Sequence, residues 1–131
     1  MVVLDTNILV DFLRNNEEVV NKIKSYYDSD LPVMTTSITL FELFRGAYAS
    51  HNPEKKISDI ELLIEDIDIL YFDVKSSKIV GKIYNELKKH GKTIGILDQL
   101  IAGIVISNNE KLVTGNIKEF SRIPDLKIEK W

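Results

Sequence analysis

The sequence predicts an α/β fold, a three-layer sandwich in which a central parallel sheet is flanked by helices. Three observations carry this expectation. Short β-branched runs alternate along the chain with stretches whose apolar residues recur every three or four positions, the pattern of successive strand and helix units. Ile69–Phe72 is an unbroken apolar run, as expected of a strand covered on both faces. A length of 131 residues with 44% hydrophobic and 28% charged residues matches one compact domain spanning 1–131.

Taken in order, Val2–Leu4 is a β-branched run that ends at Asp5, after which Ile8, Leu9, Phe12 and Leu13 hold helical spacing. Pro32–Thr36 reads as a second strand, and Ser37 is placed to cap a helix carrying Leu40, Phe41, Leu43, Phe44 and Ala47. A helix around Glu54 to Ile67 leads to Ile69–Phe72, expected to be a buried third strand bounded by Asp68 and Asp73. The next helix begins near Ser76, presents Ile79, Val80, Ile83, Tyr84 and Leu87 on one face, and stops at His90-Gly91, where glycine supplies a left-handed cap. A very apolar helix then runs from about Leu97 to Asn108, followed by a strand at Lys111–Thr114 and a last one at Leu126–Ile128. Parallel strands joined by helices require right-handed crossovers, which put helices on both faces of the sheet.

Composition narrows the chemistry. The 18 Ile, 14 Leu, 10 Val and 5 Phe supply a core that excludes water. The absence of cysteine excludes disulfides, thiol catalysis, iron–sulfur clusters and cysteine-based zinc sites, and His51 and His90 stand too far apart to suggest a histidine-rich site. Any metal would need oxygen ligands. No apolar run is long enough to span a bilayer and Asp5 interrupts the amino-terminal run too early for a secretory signal, so a cytoplasmic protein with no membrane partner is expected. The net charge of −3 neither demands nor forbids a nucleic-acid partner.

In an open parallel sheet, ligands bind beyond the carboxyl ends of the strands. Asp5 stands at the first such end, Glu42 in the Phe41-Glu42-Leu43 segment of the second helix, Asp98 in the first turn of the apolar helix, and Asn116 just past the fourth strand, with Glu119 one turn onward. Each has an ordinary structural role open to it. Asp5 can cap a helix, Glu42 can pair with Arg45, Asp98 can compensate a helix dipole and Asn116 can make a turn. Those roles explain the residues singly but not their common placement at strand ends. Carboxylates gathered in one crevice repel one another unless a cation or protons intervene. A hard cation, Mg2+ or Mn2+, satisfies them with carboxylate oxygens and retained waters, which is the chemistry of phosphodiester hydrolysis. Arg14, Arg45 and the run Lys88, Lys89, His90 and Lys92 are available as a positive rim for phosphates.

Leu4-Asp5-Thr6-Asn7, Phe41-Glu42-Leu43, Asp98-Gln99-Leu100-Ile101-Ala102 and Leu112-Val113-Thr114-Gly115-Asn116 with Phe120, in this order, resemble a PIN-domain nuclease, and Ile123-Pro124-Asp125-Leu126 with Trp131 resembles the VapC toxins of toxin–antitoxin pairs. The resemblance spans essentially the whole chain. It implies a PIN-like sandwich and a metal-dependent endoribonuclease acting on RNA. It further implies a homodimer, and a VapB-like antitoxin whose tail occupies the nuclease groove. Asp5, Glu42 and Asp98 would be the catalytic metal-site acids. Thr6, Thr114 and Arg45 would be nearby hydroxyl or substrate contacts. Many members carry Asp where Asn116 stands. The amide can still hold a metal-bound water through its carbonyl, and ranks above Glu119 for that role.

Rival readings leave residues unexplained. Gly91-Lys92-Thr93 lacks the glycine a phosphate-binding loop needs, Glu86 standing there instead. An aspartyl phosphatase would need an acid at Asn7. A receiver-like signalling domain would use Asp5 and Asp73 but leaves Glu42 and Asp98 idle and lacks a lysine at Thr114-Gly115. A PIN fold that has lost catalysis and only binds proteins is the third alternative, which Asn116 keeps open.

Overall fold

The computed structural model describes all residues, 1–131. Five parallel strands, β1 (Val2–Leu4), β2 (Val33–Thr36), β3 (Asp68–Leu70), β4 (Lys111–Val113) and β5 (Lys127–Glu129), form one sheet in the order β3-β2-β1-β4-β5. Seven helices connect them: α1 (Thr6–Leu13), α2 (Glu17–Asp28), α3 (Ser37–Tyr48), α4 (Pro53–Glu65), α5 (Val74–Lys89), α6 (Ile96–Ser107) and the single turn α7 (Ile117–Phe120). The predicted sandwich is the observed one.

Period-two geometry divides the core between the two faces of the sheet. Val2, Leu4, Val33 and Val113 point to one side, where Ile8 and Leu9 of α1, Val19 and Ile23 of α2, Leu43 and Ala47 of α3 and Ile60 of α4 cover them. Val3, Met34 and Leu112 point to the other, against Ile83 and Leu87 of α5, Ile101, Ala102 and Val105 of α6 and Phe120 of α7. The division follows from topology. The chain steps outward from β1 to β2 to β3, then crosses back to β4, and a crossover of constant hand changes face when its direction along the sheet reverses.

Several local expectations are corrected. The third strand is not buried: it is an edge strand with β2 as its one neighbour, Asp68 is exposed, and the predicted residues Tyr71 and Phe72 lie beyond it in the open. Thr36, not Ser37, caps α3, its Oγ1 accepting from the Thr39 N–H at 3.1 Å. Helix α5 starts two residues earlier than Ser76, because Asp73 and Ser76 form a reciprocal capping box. Helix α2 is not announced by apolar spacing, since of its residues only Val19 and Ile23 are buried; its start is instead marked by Asn16, whose Oδ1 accepts from the Val19 N–H at 3.2 Å. Gly91 takes the left-handed conformation, φ 66°, immediately after the α5 cap at His90. No helix is long and apolar enough to cross a membrane.

Candidate active site

The strand order reverses at β1, whose neighbours β2 and β4 are reached by connections leaving in opposite directions. A crevice necessarily opens there beyond the carboxyl ends of the strands. The structure has one of about 650 Å3 at this point, lined by Asp5, Thr6, Asn7, Val10, Asp11 and Arg14 from the β1–α1 unit, Glu42 from α3, Asp98 from α6, and Gly115 and Asn116 after β4. Val10 is its one hydrophobic residue.

Asp5 is buried at the floor, with 5% of its surface exposed. Its backbone N–H continues the ladder to the Val113 carbonyl at 2.9 Å, which fixes where the side chain leaves β1. Oδ1 accepts from the Thr6 N–H at 2.8 Å, the helix-capping role, and Oδ2 accepts from the Thr114 hydroxyl at 2.7 Å. Burial raises the Asp5 carboxyl above its usual range, the Thr114 and Thr6 hydrogen bonds oppose that rise, and the Glu42 charge adds to it. The Thr114 hydroxyl, itself fully buried, also accepts from the Asn116 N–H at 3.0 Å, so it links the ends of β1 and β4.

Glu42 sits in the second turn of α3, where its Oε1 accepts from the Thr6 hydroxyl at 2.7 Å. Asp98 stands in the first turn of α6 and accepts from the Asn116 side-chain amide at 3.3 Å. Its carboxyl is pushed up to about 6, chiefly by burial and then by the charges of Asp5, Glu42 and Glu119, against the lowering effect of the Asn116 bond. Asn116 makes no side-chain cap for α7; the amide instead faces Asp98, which an aspartate in its place could not do as a donor while ionised.

All four sequence-predicted principals, Asp5, Glu42, Asp98 and Asn116, therefore meet in one crevice, and Thr6 and Thr114 hold two of them. Others fall outside its lining. Arg45 is exposed, 3.9 Å from Glu42 and stacked 5.1 Å over the Phe41 ring. Glu119 pairs with Arg122 at 3.6 Å and reaches Asp98 only through its field. Neither histidine nor the lysine run after Leu87 lines the crevice. Asp73 caps α5 rather than standing beside Asp5, which removes the receiver-like arrangement. Asn7 and Asp11 are lining residues that sequence reading did not nominate. The signal was present: Asn7, Asp11 and Arg14 recur at i, i+4 and i+7 on one face of α1. Asn7 also packs on Gly115, where a Cβ would lie 2.8 Å from the Asn7 Nδ2 and push that side chain aside.

The raised Asp98 carboxyl makes a prediction about stability in EDTA. A group whose carboxyl is raised in the fold binds protons that the unfolded chain has already released. Its stabilising contribution is therefore full below its ordinary value of 3.8 and is lost as pH rises through about 6. Asp98→Asn should melt above the parent at neutral pH, and the advantage should shrink as pH falls through that window. Calorimetry across pH checks this; a difference independent of pH would refute the mutual repulsion of the acids.

Comparison with known proteins agrees with this geometry. The PIN domain family model matches residues 2–126. Ribonuclease VapC1 of Haemophilus influenzae strain R2866 is 40% identical over 129 residues, covering 98% of this chain and 96% of that protein. The tRNA(fMet)-specific endonuclease VapC of Salmonella typhimurium LT2 is 35% identical over 128 residues with the same coverage. Among solved structures, the VapBC2 complex of Rickettsia felis bound to a promoter DNA fragment contains a chain that superposes with a TM-score of 0.93 at 34% identity, covering 100% of this chain and 99% of that one. An acid-lined crevice at the switch point of a parallel sheet and full-length likeness to these proteins lead to one conclusion: the chain belongs to the PIN-domain family, among its VapC ribonucleases.

Proposed function

We propose that the protein is a divalent-cation-dependent endoribonuclease and the toxin of a toxin–antitoxin pair, with residues 1–131 forming one nuclease unit. The observation that supports this most directly is the gathering of Asp5, Glu42 and Asp98 in a single crevice, with the Asp98 carboxyl pushed up to about 6 by burial and by its acidic neighbours. Such a site favours either protons or a cation. The donor set is all oxygen, which fits magnesium or manganese. No three acids stand close enough to form a ready-made cage, but magnesium commonly takes one or two carboxylates and keeps several waters. Asp5 and Asp98 would hold the ion, with Glu42 and the Asn116 amide beside them.

When bound, the ion supplies charge stabilisation at the phosphoryl oxygens and a more acidic attacking water. The chain's own groups do the positioning. Thr114 and the Thr6 N–H fix both Asp5 oxygens in direction, Thr6 ties Glu42 to the start of α1, and Asn116 holds Asp98 against rotation. Glu42, which lines the crevice and is not one of the two acids assigned to the ion, is left to accept a proton from the attacking water.

The family likeness supports the remaining parts of the proposal. The Rickettsia felis and Salmonella typhimurium structures are VapBC complexes on DNA, so a VapB-like antitoxin that binds DNA is the expected protein partner. A homodimer and a cytoplasmic location accompany that reading. The biochemical test is incubation of purified protein with total RNA in magnesium or manganese. Internal cleavage that EDTA abolishes is expected with at least one of the ions; intact RNA with both would sink the proposal. In cells, production of the chain without its partner should slow growth at least several-fold, and Glu42→Gln should relieve it. Growth unaffected by a soluble parent protein would count against the toxin role.

A further inference from the structure

Of the chain's three arginines, Arg14 alone has no carboxylate partner. Arg45 lies 3.9 Å from Glu42 and Arg122 lies 3.6 Å from Glu119, whereas Arg14 makes no ion pair. Its backbone closes the end of α1. The Arg14 N–H bonds the Val10 carbonyl at 3.0 Å, Asn15 follows in the left-handed conformation at φ 61°, and Asn16 then caps α2. Arg14 lines the carboxylate crevice and also a second groove of about 350 Å3 that shares Val10, Arg14 and Glu42 with it and leads to Lys55 and Lys56 on α4. Lys55 is engaged by Asp59 at 3.1 Å, and Lys56 makes no ion pair.

We propose that Arg14, continued by Lys56 along this groove, binds a phosphate of the RNA next to the cleaved bond, so that the substrate strand leaves the crevice between α1 and α4. The inference deepens the ribonuclease reading and rests on it. A crevice lined by Asp5, Asp11, Glu42 and Asp98 carries more negative charge than one divalent ion neutralises, so cationic groups at its margin add attraction for a phosphodiester backbone. A guanidinium gives a phosphate two parallel N–H donors. Arg45 and Arg122 would have to surrender a carboxylate to do this, and Arg14 surrenders nothing.

The experiment measures binding of a labelled single-stranded oligoribonucleotide by the full chain in magnesium, across salt concentrations, in an Asp98→Asn background that stops turnover. Each phosphate contact to a single strand contributes about 0.7 to the slope of log affinity against log salt. Arg14→Gln should lower the slope by about 0.7 and weaken binding at low salt by roughly tenfold. Arg14→Lys should restore the slope. Lys56→Gln should lower it by a similar amount, whereas Lys78→Gln on α5 should leave it unchanged. If Arg14→Gln folds, as judged by circular dichroism, and keeps the parental slope, the subsite is overturned while cleavage by the unsubstituted protein still upholds the ribonuclease reading. If the unsubstituted protein leaves RNA intact in magnesium and in manganese, both fall.

Discussion

Asp5→Ala is expected to abolish divalent-cation-dependent RNA cleavage while leaving a folded protein. The loss should be at least about a thousandfold, because a correctly held ion contributes several kcal/mol to the transition state and each 1.4 kcal/mol is about a factor of ten. The structure explains why Asp5 should matter most. It is the acid at the floor of the crevice, both of its oxygens are oriented by donors, and it bridges the ends of β1 and β4. Folding should survive because two effects oppose each other. Alanine leaves the Thr114 hydroxyl without its acceptor, at a cost of about 1–3 kcal/mol, but it also removes a carboxylate that burial disfavours. Asp5→Asn separates them, since the amide oxygen can still accept from Thr114 yet carries no charge for a cation. Rates from single-turnover cleavage, with unfolding monitored alongside, check both variants; full activity in either would remove Asp5 from the site.

The largest effect on stability is expected at Gly103, far from any chemistry. Helices α5 and α6 form the most extensive helix pair in the protein, and Gly103 of α6 lies directly against Ser76 and Val80 of α5. A Cβ built on Gly103 would lie 2.2 Å from the Val80 Cγ2 and 3.2 Å from the Ser76 carbonyl oxygen. Val80 is buried and β-branched, so its χ1 has little freedom to turn away. Gly103→Ala gains about 1 kcal/mol in helix propensity, yet overpacking of this kind costs about 1–3 kcal/mol, and the carbonyl cannot yield without moving α5. A net destabilisation of up to about 2 kcal/mol is expected in urea, and Gly103→Leu should prevent folding. Val80→Ala in the same chain should recover part of the Gly103→Ala loss by vacating the methyl. An alanine variant as stable as the parent would show that α5 and α6 can separate freely. Because α6 also carries Asp98, a displaced α6 should weaken cleavage as well as stability.

Much of this protein is legible residue by residue. The β-branched run Val2–Leu4, the helical spacing of Ile79, Val80, Ile83 and Leu87, and the glycine stop at Gly91 each encode their element within a window of a few residues, because strand and helix periods and caps are local properties of the backbone. Asp5, Glu42, Asp98 and Asn116 could be nominated on the same basis, since Asp5 and Asn116 follow strand ends and Glu42 and Asp98 stand in the first two turns of helices. Helix α2 was harder to see because two buried positions make only a weak periodic signal. What no window contains is the partner. That Ile69-Leu70 would lie at an edge and that Thr114 would bond Asp5 across 109 residues of chain were decided by strand order and by which helix packs on which face. The chain by itself determined its elements, its fold class and the types of residue at its strand ends. The tertiary structure decided their convergence, because reversing the connection at β1 opens the crevice and close packing, such as α6 on α5 at Gly103, sets where each acid stands within it.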